Sequence, residues 1–155
     1  MTTVNQNFTT RIGGINFSSS NSYTGSSVST INGSFELDTT AQKIPVYAEA
    51  NVDGDIKLIV IKSSRALDFC KLVDGSGDTE VIDILDAYSG STIPANTVIQ
   101  IPGTAPLPTV LNTSDVFALK VALDGSTDNL STDIEFAILY DVASDLDSAD
   151  DIVSA

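Results

Sequence analysis

The chain has 155 residues and 16.2 kDa, the size of one domain, and at 42% hydrophobic it can bury a core. Its 21 acids against 7 bases leave a net charge of −14, which argues against nucleic-acid partners, because affinity for phosphate backbones comes from Lys and Arg. The chain lacks His, the commonest general base and transition-metal ligand. Its single cysteine, Cys70, can form neither an internal disulfide nor a Cys-rich zinc site. No enzymatic reaction is expected from this composition, and no cofactor.

The opening residues, Met1 to Arg11, lack a basic segment followed by an apolar one, so no secretory signal is expected. The longest purely aliphatic run, Leu58-Ile-Val-Ile61, is too short to cross a bilayer, and no membrane partner is expected. Synthesis in a cytosol, where a lone reduced cysteine is ordinary, follows from both. Sequons at Asn7, Asn16, Asn32, Asn112 and Asn129 are what chance gives in a chain this rich in Ser and Thr.

Residues 1–35 read as an arm. They hold one charged side chain, Arg11, and 19 of them are Ser, Thr or Asn. A segment of this kind buries too little apolar surface to order itself. The composition predicts that it is held by neighbours or pairs as strands against its own domain, with a self-standing hairpin around Ile12 to Phe17 as the other possibility. An arm has no core of its own, so its large apolar side chains, Phe8, Ile12, Ile15, Phe17 and Tyr23, are the candidate anchors into another subunit.

From Val28 onward the apolar pattern has period two. Ile31, Phe35 and Leu37 fall on one face of a strand, and Thr30, Asn32, Ser34 and Glu36 on the other. Val46, Ala48, Ala50 and Val52 alternate in the next run, with Pro45 near its start. Asp55–Lys62 is apolar on both faces and reads as a buried strand. Asp68–Val73 serves as a strand better than as a helix. Val81–Asp86, Thr97–Ile101, Val116–Leu123 and Asp133–Tyr140 complete the set. Asp53-Gly54, Asp74-Gly75 and Asp124-Gly125 each lie between apolar runs, and Asp-Gly suits a two-residue type I′ hairpin turn. A Pro-punctuated loop spans Ile101–Thr109. Ser144-Asp-Leu-Asp147 matches a capping box, so residues 144–155 form an acidic segment, either a short helix or a tail. With no interleaved helices, the prediction is an all-β fold. It is an antiparallel β-sandwich or jelly-roll-like domain over 36–143, carrying an extended polar N-terminal arm over 1–35.

The chemistry-bearing clusters are sparse. Paired Asp residues abound, yet a glycosidase also wants aromatic platforms, and the chain has no Trp. Asp74–Asp78 and Asp124–Asp128 space oxygen ligands as a calcium loop begins, but after Asp74 the sixth position is Thr79 and the twelfth Leu85, where an EF-hand needs Gly and Glu. Hairpin tips explain both better than metal sites. Cys70, between Phe69 and Lys71, has nothing to activate its thiolate and reads as a small apolar filler.

The Ser/Thr/Asn-rich stretch Ser18–Ser27, the strand runs Asp55–Lys62 and Phe117–Asp124 and the acidic end together resemble the small accessory proteins of tailed-phage virions, above all capsid decoration (cement) proteins. The resemblance is one of pattern, with no motif that carries over a functional residue. It implies a homo-oligomer, often a trimer, made in the host cytoplasm and seated in the virion. There it would contact the major capsid protein or other virion subunits and brace the shell without a cofactor. The alternative is a β-sandwich binding or adhesion module of a tail or fibre, with the Ile101–Thr109 loop and Asp-rich tips as a weak calcium-dependent ligand site.

Overall fold

The computed structural model describes residues 1–47, 56–74, 80–88, 90–103, 116–125 and 128–141. Among them are two strands that pair only with each other, β1 (Thr2–Ile12) and β2 (Ile15–Gly25). Eight further strands form the body: β3 (Ser27–Leu37), β4 (Gln42–Tyr47), β5 (Ile56–Ser63), β6 (Leu67–Asp74), β7 (Glu80–Asp83), β8 (Ile99–Pro102), β9 (Val116–Leu123) and β10 (Leu130–Tyr140). Sheet I runs β3-β10-β5-β8 and sheet II runs β4-β9-β6-β7, every pairing antiparallel.

The pairing is nested. β3 pairs with β10, β4 with β9, β5 with β8 and β6 with β7. First-with-last pairing of this sort makes one long antiparallel ribbon. Two additional contacts, β10 with β5 and β9 with β6, roll that ribbon into two facing sheets. This is the jelly roll, and the all-β antiparallel sandwich expected from period-two patterning is the fold the chain adopts.

Alternation decides what lies between the sheets. In β10, Ile134, Phe136, Ile138 and Tyr140 are buried while Ser131, Asp133 and Glu135 face water. In β3, Ile31 and Leu37 are buried and Thr30, Asn32, Ser34 and Glu36 exposed, as the pattern required. Sheet II answers with Ile44, Val46, Leu72, Leu119 and Val121. Each such side chain stabilises the fold by about 1.5–3 kcal/mol relative to exposure. The polar groups taken inside are matched: the Ser29 and Tyr140 hydroxyls hydrogen-bond at 3.1 Å. Cys70 is fully buried, and burial, with Asp83 adding to it, pushes the thiol far above its ordinary pKa. The thiol therefore stays protonated and packs as an apolar group.

Several sequence expectations change. The run Val81–Asp86 is not one strand: β7 stops at Asp83, whose Oδ1 accepts from the Asp86 backbone N–H at 3.2 Å. That bond caps a short helix, α1 (Ile84–Tyr88). Asp124-Gly125 is not a two-residue hairpin, since β9 and β10 belong to different sheets. Only Gly125 has positive φ (75°), whereas a type I′ turn needs it at both residues. Asp53-Gly54 and residues 75–79 lie outside the described residues, although β6 and β7 are indeed adjacent. So do most of the Pro-rich loop and of the loop Asp74–Asp78, two residues (126 and 127) of the loop Asp124–Asp128, and residues 142–155. Pro45 stands within β4 rather than near its start; β4 is an edge strand, where a missing N–H is tolerated.

The 1–35 boundary also moves. Residues 27–37 are a full strand of sheet I, so the arm ends at Gly25. It is ordered by pairing with itself over its whole length, the self-standing hairpin alternative extended well beyond Ile12–Phe17. No helix among the described residues is long and apolar enough to cross a membrane.

Candidate functional site

The two strands of the hairpin run 11 residues each and stay in register from Thr2↔Gly25 to Ile12↔Ile15. A two-residue turn, Gly13-Gly14, closes it, with φ of 59° and 82°. Positive φ at both centres is the type I′ requirement, and its twist matches the strands it joins. Nothing crowds either glycine, so it is the backbone angle alone that demands them.

This register sorts the side chains by chemistry. Residues directly opposite in an antiparallel pair share a face, and alternate residues along a strand do too. Val4 faces Tyr23, Phe8 faces Ser19, Thr10 faces Phe17 and Ile12 faces Ile15. All the large apolar residues of the arm after Met1, including the five candidate anchors, therefore fall on one face. The other face carries Thr3, Asn5, Asn7, Thr9, Arg11, Asn16, Ser18, Ser20, Ser22 and Thr24, all polar.

Burial then divides that apolar face into halves. Val4 and Tyr23, near the base, are half-buried, whereas Phe8 (59%), Ile12 (65%), Ile15 (58%) and Phe17 (50%) are exposed. The base is fixed to the body. β2 contacts β10 and β5, and Leu139 and Leu58, which alternation turns toward the outside of sheet I, are only 3% exposed each. Gly25 lies so close that an added Cβ would fall 2.9 Å from the Tyr140 carbonyl oxygen and 3.0 Å from the Leu139 side chain. Asp141 clasps the hinge: its Oδ1 accepts from the Ser26 N–H (3.2 Å) and hydroxyl (3.3 Å), while Oδ2 meets Lys57 Nζ at 3.3 Å.

Farther along, Gln6, Phe8, Ser19 and Asn21 border a cleft against Val98 and Gln100 beside β8, the edge strand of sheet I. The hairpin thus crosses the outside of sheet I from β10 to β8 and runs on. Phe8 is the outermost hairpin residue at that cleft and Ile12 lies four residues farther on, so at about 3.3 Å per residue the tip overhangs β8 by about 13 Å. Beside the base a groove of about 340 Å³ opens on the same outer face, lined by Thr30, Asn32, Val60, Val98 and Ala137, with Lys62 and Glu135 at its rim.

The structure therefore brings Phe8, Ile12, Ile15 and Phe17 together and leaves them exposed, while Tyr23 is partly taken up at the base. The hinge residues Gly25, Ser26 and Asp141 and the covered pair Leu58 and Leu139 escaped the sequence reading. Only Leu58 had left a trace, as one of the residues that made β5 apolar on both faces. The outer face of sheet II shows a second pattern invisible in sequence: Lys43, Lys120 and Lys71 stand in one row across β4, β9 and β6. Like charges placed opposite one another are unfavourable. Lys71 is relieved by Glu80 at 2.6 Å and Asp83 at 3.5 Å, and chiefly the hydrogen bond to Glu80 raises its pKa.

No family model and no curated protein matches the chain. Among solved structures, it is similar to a chain of "Structure of infectious bursal disease virus Gx strain", with a TM-score of 0.32 and 12% identity over 92% of this chain. The aligned part is 32% of that chain, so this protein spans about a third of its length. So loose a superposition adds nothing to the strand order already given.

Proposed function

We propose that the chain is a non-enzymatic structural protein of a virion, and specifically a capsid decoration protein that seats on the head of a tailed phage and stabilises it through oligomer and arm contacts. The observation that carries this reading is the distal half of the hairpin, with four large apolar side chains aligned on one face and exposed by half or more. Contiguous apolar surface rimmed by polar residues marks an interaction site. The remaining features suit the role. A jelly roll is a rigid two-sheet body used, among others, by capsid domains, although fold alone does not give function. A body this acidic favours solubility and disfavours contact with nucleic acid, and the arm, with Arg11 as its one charged side chain, can approach an acidic protein surface without charge repulsion. The major capsid protein or another virion subunit is the partner in this proposal. The adhesion alternative depends on loops outside the described residues and draws no support from any specific observation.

Purified particles from a producing culture provide the test. The expected result is the chain present at a copy number matching the shell lattice, removed from particles by deletion of residues 2–24. A copy number matching the neck or tail, absence from particles, or normal occupancy by the truncated chain would overturn the proposal.

A further inference from the structure

We infer that the distal half of the hairpin docks on the outer face of sheet I of a second copy of this chain, joining copies head to tail. This names the first partner of the assembly arm and so rests on the reading above.

Four observations lead to it. Eight large apolar side chains are exposed among the described residues; four belong to the distal hairpin (Phe8, Ile12, Ile15, Phe17), and two, Val28 (41%) and Val98 (52%), to the outer face of sheet I. The chain thus offers an apolar ridge and, separately, an apolar groove floored by Val60, Val98 and Ala137. Next, the fit has a precedent within the molecule. The proximal part of the hairpin already lies across this sheet face, over Leu58 and Leu139, and the groove continues the surface so covered. Third, the ridge points away from its own groove. Phe8 stands at Val98, where the groove begins, and Ile12, Ile15 and Phe17 lie farther out along the hairpin, whereas the groove runs from Val98 back toward β3. At about 4.8 Å per strand, β3 is about 14 Å behind β8, and the hairpin tip is about 13 Å ahead of it.

Charge supplies the fourth. Two bodies of this acidity repel one another, but the hairpin contains no acid and a single charged side chain, Arg11. The outer face of sheet I presents Glu36 and Asp133, both exposed, to that cation, while Glu135 is shared with Lys62 at 3.8 Å. The contact joins different patches on the two copies, so it is heterologous, and such contacts generate rings when the rotation closes and filaments when it does not.

Cross-linking tests the pairing directly, since the native Cys70 is fully buried and takes no part. I12C and N32C variants, purified separately and mixed under mild oxidation, are expected to give a covalent dimer containing one of each. Neither variant alone should do so. Sedimentation of the unmodified chain should show a species larger than the monomer, and F8S/F17S, with both sites exposed, should weaken association at least about 100-fold, as loss of two central apolar anchors does. Circular dichroism of F8S/F17S should match the parent, which separates lost docking from lost folding. A monomer at every accessible concentration would overturn the inference while leaving the arm to a different virion subunit. An I12C–I12C product in place of the mixed one would overturn it in favour of tip-to-tip pairing. An oligomer unaffected by F8S/F17S would also overturn it.

Discussion

Removing the hairpin and polishing its tip should have opposite consequences, and the difference follows from where each residue is buried. Deletion of residues 2–24 uncovers Leu58 and Leu139, now 3% exposed each. At about 1.5–3 kcal/mol per large aliphatic side chain, the jelly roll should lose at most about 3–6 kcal/mol. A domain of this size has about 5–15 kcal/mol to lose, so the truncated body should still fold, with a lower urea midpoint. Replacing Phe8, Ile12, Ile15 and Phe17 together by Ser touches only side chains exposed by half or more. The cost to the body should stay within about 0.5 kcal/mol per site, because the cross-strand pairs lost belong to the hairpin and not to the core. Urea unfolding followed by far-ultraviolet circular dichroism, at concentrations low enough to suppress association, measures both. A truncated chain with an unchanged midpoint would show that the hairpin base does not cover sheet I. A quadruple variant as destabilised as the truncation would show that the tip is packed against the body, and the division into base and overhang would be wrong.

Three further outcomes follow from the body. Y140F strips the Ser29 hydroxyl of a buried partner and should cost about 1–3 kcal/mol, while S29A/Y140F should recover part of it in a double-mutant cycle read by thermal melting. G103A should cost about 1–3 kcal/mol, because the added methyl would press on the Ile56 carbonyl and lie 3.1 Å from Lys57 Cα, displacing the Gly103 N–H from the Lys57 carbonyl it meets at 2.9 Å. A urea midpoint equal to the parent's would refute that. The third is alkaline. The unfolded Cys70 thiol loses its proton near its ordinary value of 9.0 while the buried one keeps it, so the native state binds more protons and stability falls as pH rises above 9. Lys71, with its pKa raised mainly by Glu80, adds a decline that begins above 10.5. Melting between pH 9 and 10 should show a loss of about 1 kcal/mol that C70A abolishes; persistence of the slope in C70A would assign it elsewhere.

The body strands were legible because each is a local statement. Alternation of apolar and polar residues is imposed by the two-residue period of the extended backbone, so Ile31, Phe35 and Leu37 announce their face without reference to anything distant. The same rule gives the hairpin's one-sided face only once its turn is fixed at Gly13-Gly14: Phe8, Ile12, Ile15, Phe17 and Tyr23 share a face in the register that this turn sets and in no register displaced by one residue. Asp-Gly is a weaker guide. It marks chain reversal, and a reversal in a sandwich leads to a neighbouring strand or to the opposite sheet with equal ease, as the passage from β9 to β10 shows.

By itself, then, the sequence determined the strand content, the inward face of most strands, and a neutral arm set apart from an acidic body. Only the tertiary structure decided the nested order of the jelly roll, the lysine row across sheet II, and the burial of two outward-pointing leucines beneath a hairpin that overshoots its own sheet. The division has a physical cause. Backbone geometry fixes the period of a strand residue by residue, whereas strand partners are chosen by side chains as far apart as Val28 and Leu139, whose mutual fit no local pattern encodes.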